Sequence, residues 1–460
     1  MFRVFAAIYN YRVIENDSVT ACARIVYGET SSPSEPGHLA VPALYTVDPD
    51  TSRGRQFSRE RYANEEFYLA FGIDEKTGNP DWLGEIFQWL SSSYETCIAE
   101  RDSVGRICCL EGVFRGHGIS PRKPHAALLM GWMENKLWNG NKKEALCRAQ
   151  SPVAGMEHLV VCSHDIDFYY TNRRSVLFRL FKNLGISFRL YRSWSFFKSN
   201  SVMILELLGG KRIGDYLPAL LKAIEESNFH STFFVVTSHN HRRDPNYKLS
   251  ELAAVLAEAQ SSGCSVCLHG SYTSMLGNEN LSSEVSTLEN AVGNKPLGNR
   301  QHWLRFDNHE RLFAAVENSE LVFDSTLGFP EAAGFRNGAS FAFPPYNFRE
   351  ERPYNFLEIP LVLMDGNLES DSRMGGESAQ QIADEVLEAS RKVGWGGVAT
   401  LWHNPMEALA VPEKINGVFW NSVEKRAQFK ESWMSAREFI ESSLSRYQNA
   451  GLLKGVRVHA

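Results

Sequence analysis

From about Leu159 onward the chain alternates short apolar runs with stretches of helical spacing, the pattern of parallel strands covered by helices. The runs at 159–163, 232–236, 264–268, 301–305, 321–323, 356–360 and 398–402 are the candidate strands. Between them, 216–226, 249–260, 284–292, 310–317 and 379–392 carry helical patterns. Ser250, followed by Glu251 and by Leu252, Val255 and Leu256, marks a helix start, and Gly263 its stop. Seven β/α units suit a barrel better than an open sheet, although periodicity alone does not decide between them.

At 460 residues the chain exceeds the usual size of one hydrophobic core, so two domains are expected. The alternation is less regular before residue 155, and a Ser/Pro/Glu-rich stretch at 31–37 and a loop at 151–156 put the boundary near 155. This gives a separate α/β N-terminal domain at 1–155 and a barrel domain at 156–460. Residues 421–449 read as one C-terminal helix on the barrel, with Phe429, Trp433, Ile440, Leu444 and Tyr447 near helical spacing.

A formal charge of -6 provides no global field for nucleic acid, and no nucleic-acid partner is expected. Nowhere do about 18 apolar residues run together, so no bilayer span is expected. The first residues lack the pattern of a secretion signal, from which a cytoplasmic location is expected. Cys264 and Cys267 share a strand-like run where residues three apart face opposite ways, and no second pair completes four ligands. Buried thiols are the expectation.

Residues 168–205 form a basic aromatic insertion. They hold Arg173, Arg174, Arg179, Lys182, Arg189, Arg192 and Lys198, ten aromatic residues and no acid. Val176, Leu177, Leu180, Phe181 and Leu184 follow helical spacing, so part of the stretch is an amphipathic basic helix. Two readings stand: a helical insertion packed on the barrel with a solvated basic face, or a peripheral contact with anionic lipid or another polyanion.

The candidate chemistry sits at strand ends. Ser163-His164-Asp165-Ile166-Asp167 puts two carboxylates, one residue apart, at the carboxyl end of the first strand, where β/α enzymes build their active sites. One carboxylate can bind a cation while the other takes a proton from water. His269 directly follows a candidate strand, His302 opens another, and His403 closes the last. Three histidines at one end of successive strands, with an Asp pair at the first, fit a purely structural role poorly.

On these motifs the chain resembles the polysaccharide deacetylases of the NodB-homology fold, over about residues 157–405. The resemblance implies a distorted (β/α)7 barrel and metal-dependent removal of acetyl groups from a carbohydrate. By that likeness Asp165 is the base and Asp167 a metal ligand. His269 matches the first histidine of a His-x-x-x-His pair that binds zinc, but Thr273 stands where the second is expected. His302 fills the gap if the Arg300 loop folds inward. Arg300 matches the arginine that orients the base, and His403 in Leu401-Trp402-His403 the general acid. Asp324 corresponds to an aspartate that tunes this histidine or holds the arginine.

The run Asp324-Ser325-Thr326-Leu327-Gly328-Phe329, with Gly334-Phe335-Arg336 and Arg300-Gln301-His302-Trp303, is similar to one bacterial subgroup with an extra N-terminal domain, which residues 81–138 resemble. The implied cofactor is Zn2+ or another divalent cation, and the implied substrate an N-acetylated sugar or glycan precursor. The alternative is a catalytically degenerate barrel that binds glycans or serves as a scaffold.

Overall fold

The computed structural model describes residues 81–137 and 151–458, apart from 96–97, 117, 168, 170–172, 187–193, 210–215, 246, 276–280 and 404–412, together with residue 4 and four short strands upstream. Of those strands, β1 (Arg24–Tyr27) and β2 (His38–Val41) pair in parallel, while β3 (Ser58–Tyr62) and β4 (Glu65–Leu69) form an antiparallel pair. The 31–37 stretch lies outside the described residues.

The main sheet contains β5 (His158–Ile166), β6 (Thr232–Val235), β7 (Ser265–Gly270), β8 (Gly298–Gln301) and β9 (Phe323–Asp324). A small antiparallel pair, β10 (Tyr346–Asn347) and β11 (Arg352–Pro353), precedes β12 (Leu357–Glu358), β13 (Leu361–Met364) and β14 (Gly396–Leu401). The order is β12-β9-β8-β7-β6-β5-β14-β13, and all neighbours along it are parallel.

The two edges of this sheet are one stretch of chain. β12 pairs with β9, and after Ile359 and Pro360 the same stretch continues as β13 and pairs with β14. The partner changes at Pro360, which has no N–H to donate and whose carbonyl accepts from Ala399 N at 2.8 Å. Seven parallel staves thus close into a ring, a distorted (β/α)7 barrel. It is distorted because β5 shares one edge between two partners: β15 (Glu431–Met434) pairs with residues 158–161, and β6 with residues 163–166.

In chain order the helices are α1 (Trp82–Leu90), α2 (His125–Leu137), α3 (Arg173–Ile186), α4 (Trp194–Leu208), α5 (Tyr216–Glu226), α6 (Leu249–Ser261), α7 (Leu281–Val292), α8 (His309–Asn318), α9 (Asp365–Gly375), α10 (Ala379–Val393), α11 (Glu413–Lys425) and α12 (Ala436–Asn449). Helix α6 begins at Leu249, with the Glu251 carboxylate accepting from Lys248 N at 2.9 Å, so Ser250 lies inside the first turn. It stops before Gly263, whose φ is +84°.

The single C-terminal helix expected at 421–449 is instead helix, strand and helix. Lys430 turns left-handed (φ 48°), residues 431–434 join β5, and Ser435 caps α12 with Glu438 accepting from its N–H at 2.8 Å. Trp433 is buried from the strand, whereas Phe429 is 41% exposed. Helical spacing misled here because a short strand between two helices leaves the apolar residues near the same intervals.

The described part of the upstream segment packs against the barrel, with Trp82, Trp89 and Phe114 in the same apolar core as the barrel strands. Arg336 donates from Nε and Nη2 to the Glu95 carboxylate at 2.8 and 2.7 Å, all of it buried. Burial opposes ionisation of Glu95, but the Arg336 charge, with His309, holds its carboxyl far below the usual range. Gly334 (φ +146°) lies where a Cβ would stand 2.3 Å from the Pro121 carbonyl oxygen.

Helices α3 and α4 pack on each other around Val176, Leu180, Ile204 and Leu207, a small apolar core distinct from that of the barrel. Of the apolar residues that follow the helical spacing of α3, Val176 and Leu180 are buried in this core and Phe181 is 56% exposed.

Candidate functional site

Strand β5 continues through Ile166, and residues two apart on a strand share a face. Asp165 and Asp167 therefore emerge on the same side, whereas His164 points away. Its Nδ1–H donates to the Trp402 carbonyl at 2.8 Å, its ring stacks on Phe233, and burial pushes its pKa down to about 4. His164 is a neutral structural residue.

Asp165 is fixed by Arg300, which is fully buried in β8. Nη1 donates to Asp165 Oδ1 and to Ser163 Oγ, both at 2.8 Å, while Nε and Nη2 reach Ser325 O and Oγ at 3.1 Å. The guanidinium also lies 4.2 Å from the Phe234 ring centre. A cation so fully engaged has a single orientation and pins Asp165 through Oδ1, leaving Oδ2 turned toward His269. That oxygen, Oδ2, is 3.4 Å from His269 Nε2.

Asp167, His269 and His302 converge, with one ligand atom from each lying within 4.8 Å of the others. Asp167 Oδ1 is 3.5 Å from Nε2 of His269 and 3.5 Å from Nε2 of His302, and it is buried without a hydrogen-bond partner. His269 Nδ1–H donates to the Arg300 carbonyl at 2.7 Å, and His302 Nδ1 faces Asp244 Oδ1 at 3.4 Å. Asp244 is itself held by the N–H groups of Tyr272 (2.7 Å) and His241 (3.0 Å). Both imidazoles thus turn Nε2 toward the orphaned oxygen, the arrangement that partners at Nδ1 impose on metal-binding histidines.

His302 reaches this point because the chain turns left-handed just after it, with φ of 65° at Trp303 and 50° at Leu304. Burial opposes charge on His302, but Asp167 and Asp244 together push its pKa up to about 9. Burial likewise opposes ionisation of Asp167, and the charge of His302 with contacts from both histidines holds its carboxyl well below the usual range. The cluster thus supports a positive charge, carried by a proton or by a metal ion that displaces it. A carboxylate oxygen and two imidazole nitrogens are a fitting donor set for zinc.

His403 follows β14, with Nε2 3.8 Å from Asp167 Oδ2. Its Nδ1–H donates to Asp365 Oδ1 at 2.6 Å, and its backbone N–H to Asp365 Oδ2 at 3.0 Å. The expectation that Asp324 tunes His403 or holds Arg300 is corrected by this geometry. Asp324 accepts instead from Asn299 Nδ2 at 2.7 Å and from Thr326 N at 3.0 Å, and it stands in register with Glu358 inside the barrel. Burial pushes both of these carboxyls up, Asp324 against the opposing contacts from Thr326 and Asn299.

Asp365 and Asp244 were not expected from the sequence. Asp365 had one available signal: it is the first residue after the apolar run 361–364 and so stands at the same rim as the other site residues. Asp244 had none, since its loop shows no periodicity. Cys264 and Cys267 lie outside the cluster, and burial pushes their thiols up to about 11 and about 12. Beside His302, Trp303 is 45% exposed, and the Arg243 guanidinium lies 5.5 Å from its ring and 5.0 Å from that of Tyr272.

No protein-family model and no curated protein matches the chain. Among solved structures it is similar to one from Mycobacterium smegmatis assigned as a polysaccharide deacetylase, at 16% identity, covering 67% of this chain and 98% of that one with a TM-score of 0.39. It is similar to a family 4 carbohydrate esterase from Streptomyces lividans in complex with acetate, at 11% identity, 60% and 92% coverage and a TM-score of 0.29. A third, from Bordetella bronchiseptica, is assigned as a polysaccharide deacetylase involved in O-antigen biosynthesis, at 13% identity, 62% and 90% coverage and a TM-score of 0.30. Likenesses this distant leave the chemistry to the chain's own side chains.

Proposed function

We propose that this chain is a metal-dependent hydrolase that removes acetyl groups from an N-acetylated sugar or glycan precursor. The observation that carries the reading is the buried, unpartnered Asp167 Oδ1 facing the Nε2 atoms of His269 and His302, next to a base pinned by Arg300. Asp167, His269 and His302 would hold a divalent cation, which when bound would supply Lewis-acid chemistry for water and the acetyl carbonyl.

The rest of the reaction falls to the chain. Asp165 accepts the proton of the attacking water, while Arg300 holds its carboxylate in line. His403 gives a proton to the departing nitrogen as the C–N bond breaks, leaving acetate and a free amine. Asp365 orients His403 through Nδ1. The exposed Trp303 ring offers a sugar a flat apolar face beside the cluster.

Metal content and acetate release test the reading together. We expect about one zinc per chain, lost in His302→Ala and His269→Ala, as three protein ligands plus an open position require. Acetate should be released from chito-oligosaccharides or nucleotide-linked N-acetyl sugars, and Asp165→Asn or His403→Ala should slow this about 100-fold or more. A chain that takes up no metal under any loading condition would instead be the degenerate, glycan-binding barrel.

A further inference from the structure

Nine large hydrophobic side chains are exposed among the described residues, and six of them lie on helices α3 and α4: Phe178, Phe181, Trp194, Val202, Leu205 and Leu208. They follow helical rows. On α3, Phe178 and Phe181 alternate with exposed Arg174 and Lys182; on α4, Trp194, Val202, Leu205 and Leu208 are joined by exposed Lys198. The opposite rows, Val176 and Leu180 against Ile204 and Leu207, already bury each other. Each helix is therefore apolar on two faces, of which only one is satisfied within the hairpin.

Charge selects the occupant of the other face. Residues 168–208 carry seven Arg and Lys and one acid, Glu206, a net of +6, while the whole chain is at -6, so the remaining residues stand at -12. A second copy would set Arg174, Lys182 and Lys198 against the same cations of its partner, and a polyanionic chain would leave Val202, Leu205 and Leu208 in water. An anionic bilayer surface answers both features, with cations at the phosphates and apolar rows at the boundary of headgroups and acyl chains. At 14 and 15 residues the helices suit a position on the surface, and among the described residues no helix is long and apolar enough to cross a membrane.

We propose that the α3–α4 hairpin docks this protein on anionic lipid membranes. This is independent of the reading of the barrel site. The test is co-sedimentation of the full chain with vesicles of phosphatidylcholine, with and without phosphatidylglycerol. Binding is expected only where phosphatidylglycerol is present, and it should weaken as salt is raised. Phe178→Glu combined with Phe181→Glu should lower the partition coefficient at least about tenfold. Lys182→Glu should lower it about fivefold for each unit of charge changed.

All three positions are exposed, so thermal melts of the variants should match the parent. Phe348→Glu, an exposed aromatic elsewhere, should bind like the parent. The proposal is overturned if the parent ignores anionic vesicles, if it binds neutral and anionic vesicles equally, or if the double variant still binds. It is equally overturned if the parent is a dimer that the double variant splits, since the face would then be covered by a second copy.

Discussion

Asp365→Asn separates the geometry of this site from the motif order that pointed to Asp324. The carboxylate accepts Nδ1–H of His403 at 2.6 Å and its backbone N–H at 3.0 Å, and it is buried. A hydrogen bond to a charged group contributes about 1.5–3 kcal/mol. If that contribution is felt mainly when His403 carries its second proton, its loss slows turnover by about 10- to 160-fold. The upper bound is the effect of deleting the acid itself, about 10²- to 10⁴-fold.

The assay is acetate release at saturating substrate, comparing Asp365→Asn, His403→Ala and Asp324→Asn at equal metal content. A positioning role also predicts that the deficit shrinks with an acetyl ester whose leaving group departs without a proton, because little then depends on His403. The reasoning fails if Asp365→Asn turns over within twofold of the parent, or if its deficit is the same for amide and ester. It fails as well if Asp324→Asn, still folded, is the slower of the two carboxylate variants.

Further outcomes follow from the same contacts. Asp244→Ala removes the partner of His302 Nδ1 and should weaken zinc binding by about 10- to 100-fold, measured by competition with a chelator. His125 is buried with its ring stacked on Trp89 and its pKa pushed down to about 4 by burial. A folded value below the unfolded one of about 6.5 means that its contribution is complete above pH 6.5 and is lost as pH falls toward 4, by about 1.4 kcal/mol per unit. His125→Phe should therefore flatten the fall of Tm across that window, and an unchanged slope would remove His125 from the explanation. Glu95→Ala leaves Arg336 buried without its partner and should cost about 3–5 kcal/mol in chemical denaturation.

The barrel was legible where its strands are apolar and poorly bounded where they are not. The fourth stave was expected at 301–305 but runs over Gly298–Gln301, because Asn299, Arg300 and Gln301 are buried polar residues that no hydropathy pattern assigns to a core. They are held there by hydrogen bonds across the fold: Asn299 Nδ2 to Asp324, Arg300 to Asp165 and Ser325, and Gln301 through its Oε1 to Ser274 and its backbone N–H to Thr326, while Asn299 Oδ1 and Gln301 Nε2 stay buried without a partner. The same property hid Asp365 and Asp244, whose roles lie in what they touch across the fold rather than in any spacing along the chain. Residues at strand ends were easier to find, since the carboxyl end of a parallel stave is a position that sequence order preserves.

The stretch from Leu357 to Met364 belongs to both edges of the sheet, and the next residue is the carboxylate that steers His403. Closure of the ring and the placing of the His403 imidazole thus rest on one stretch of chain. Heating that loosens the seam should silence turnover while circular dichroism still reports an intact fold, and a ligand that seats His403 should in return tighten the seam.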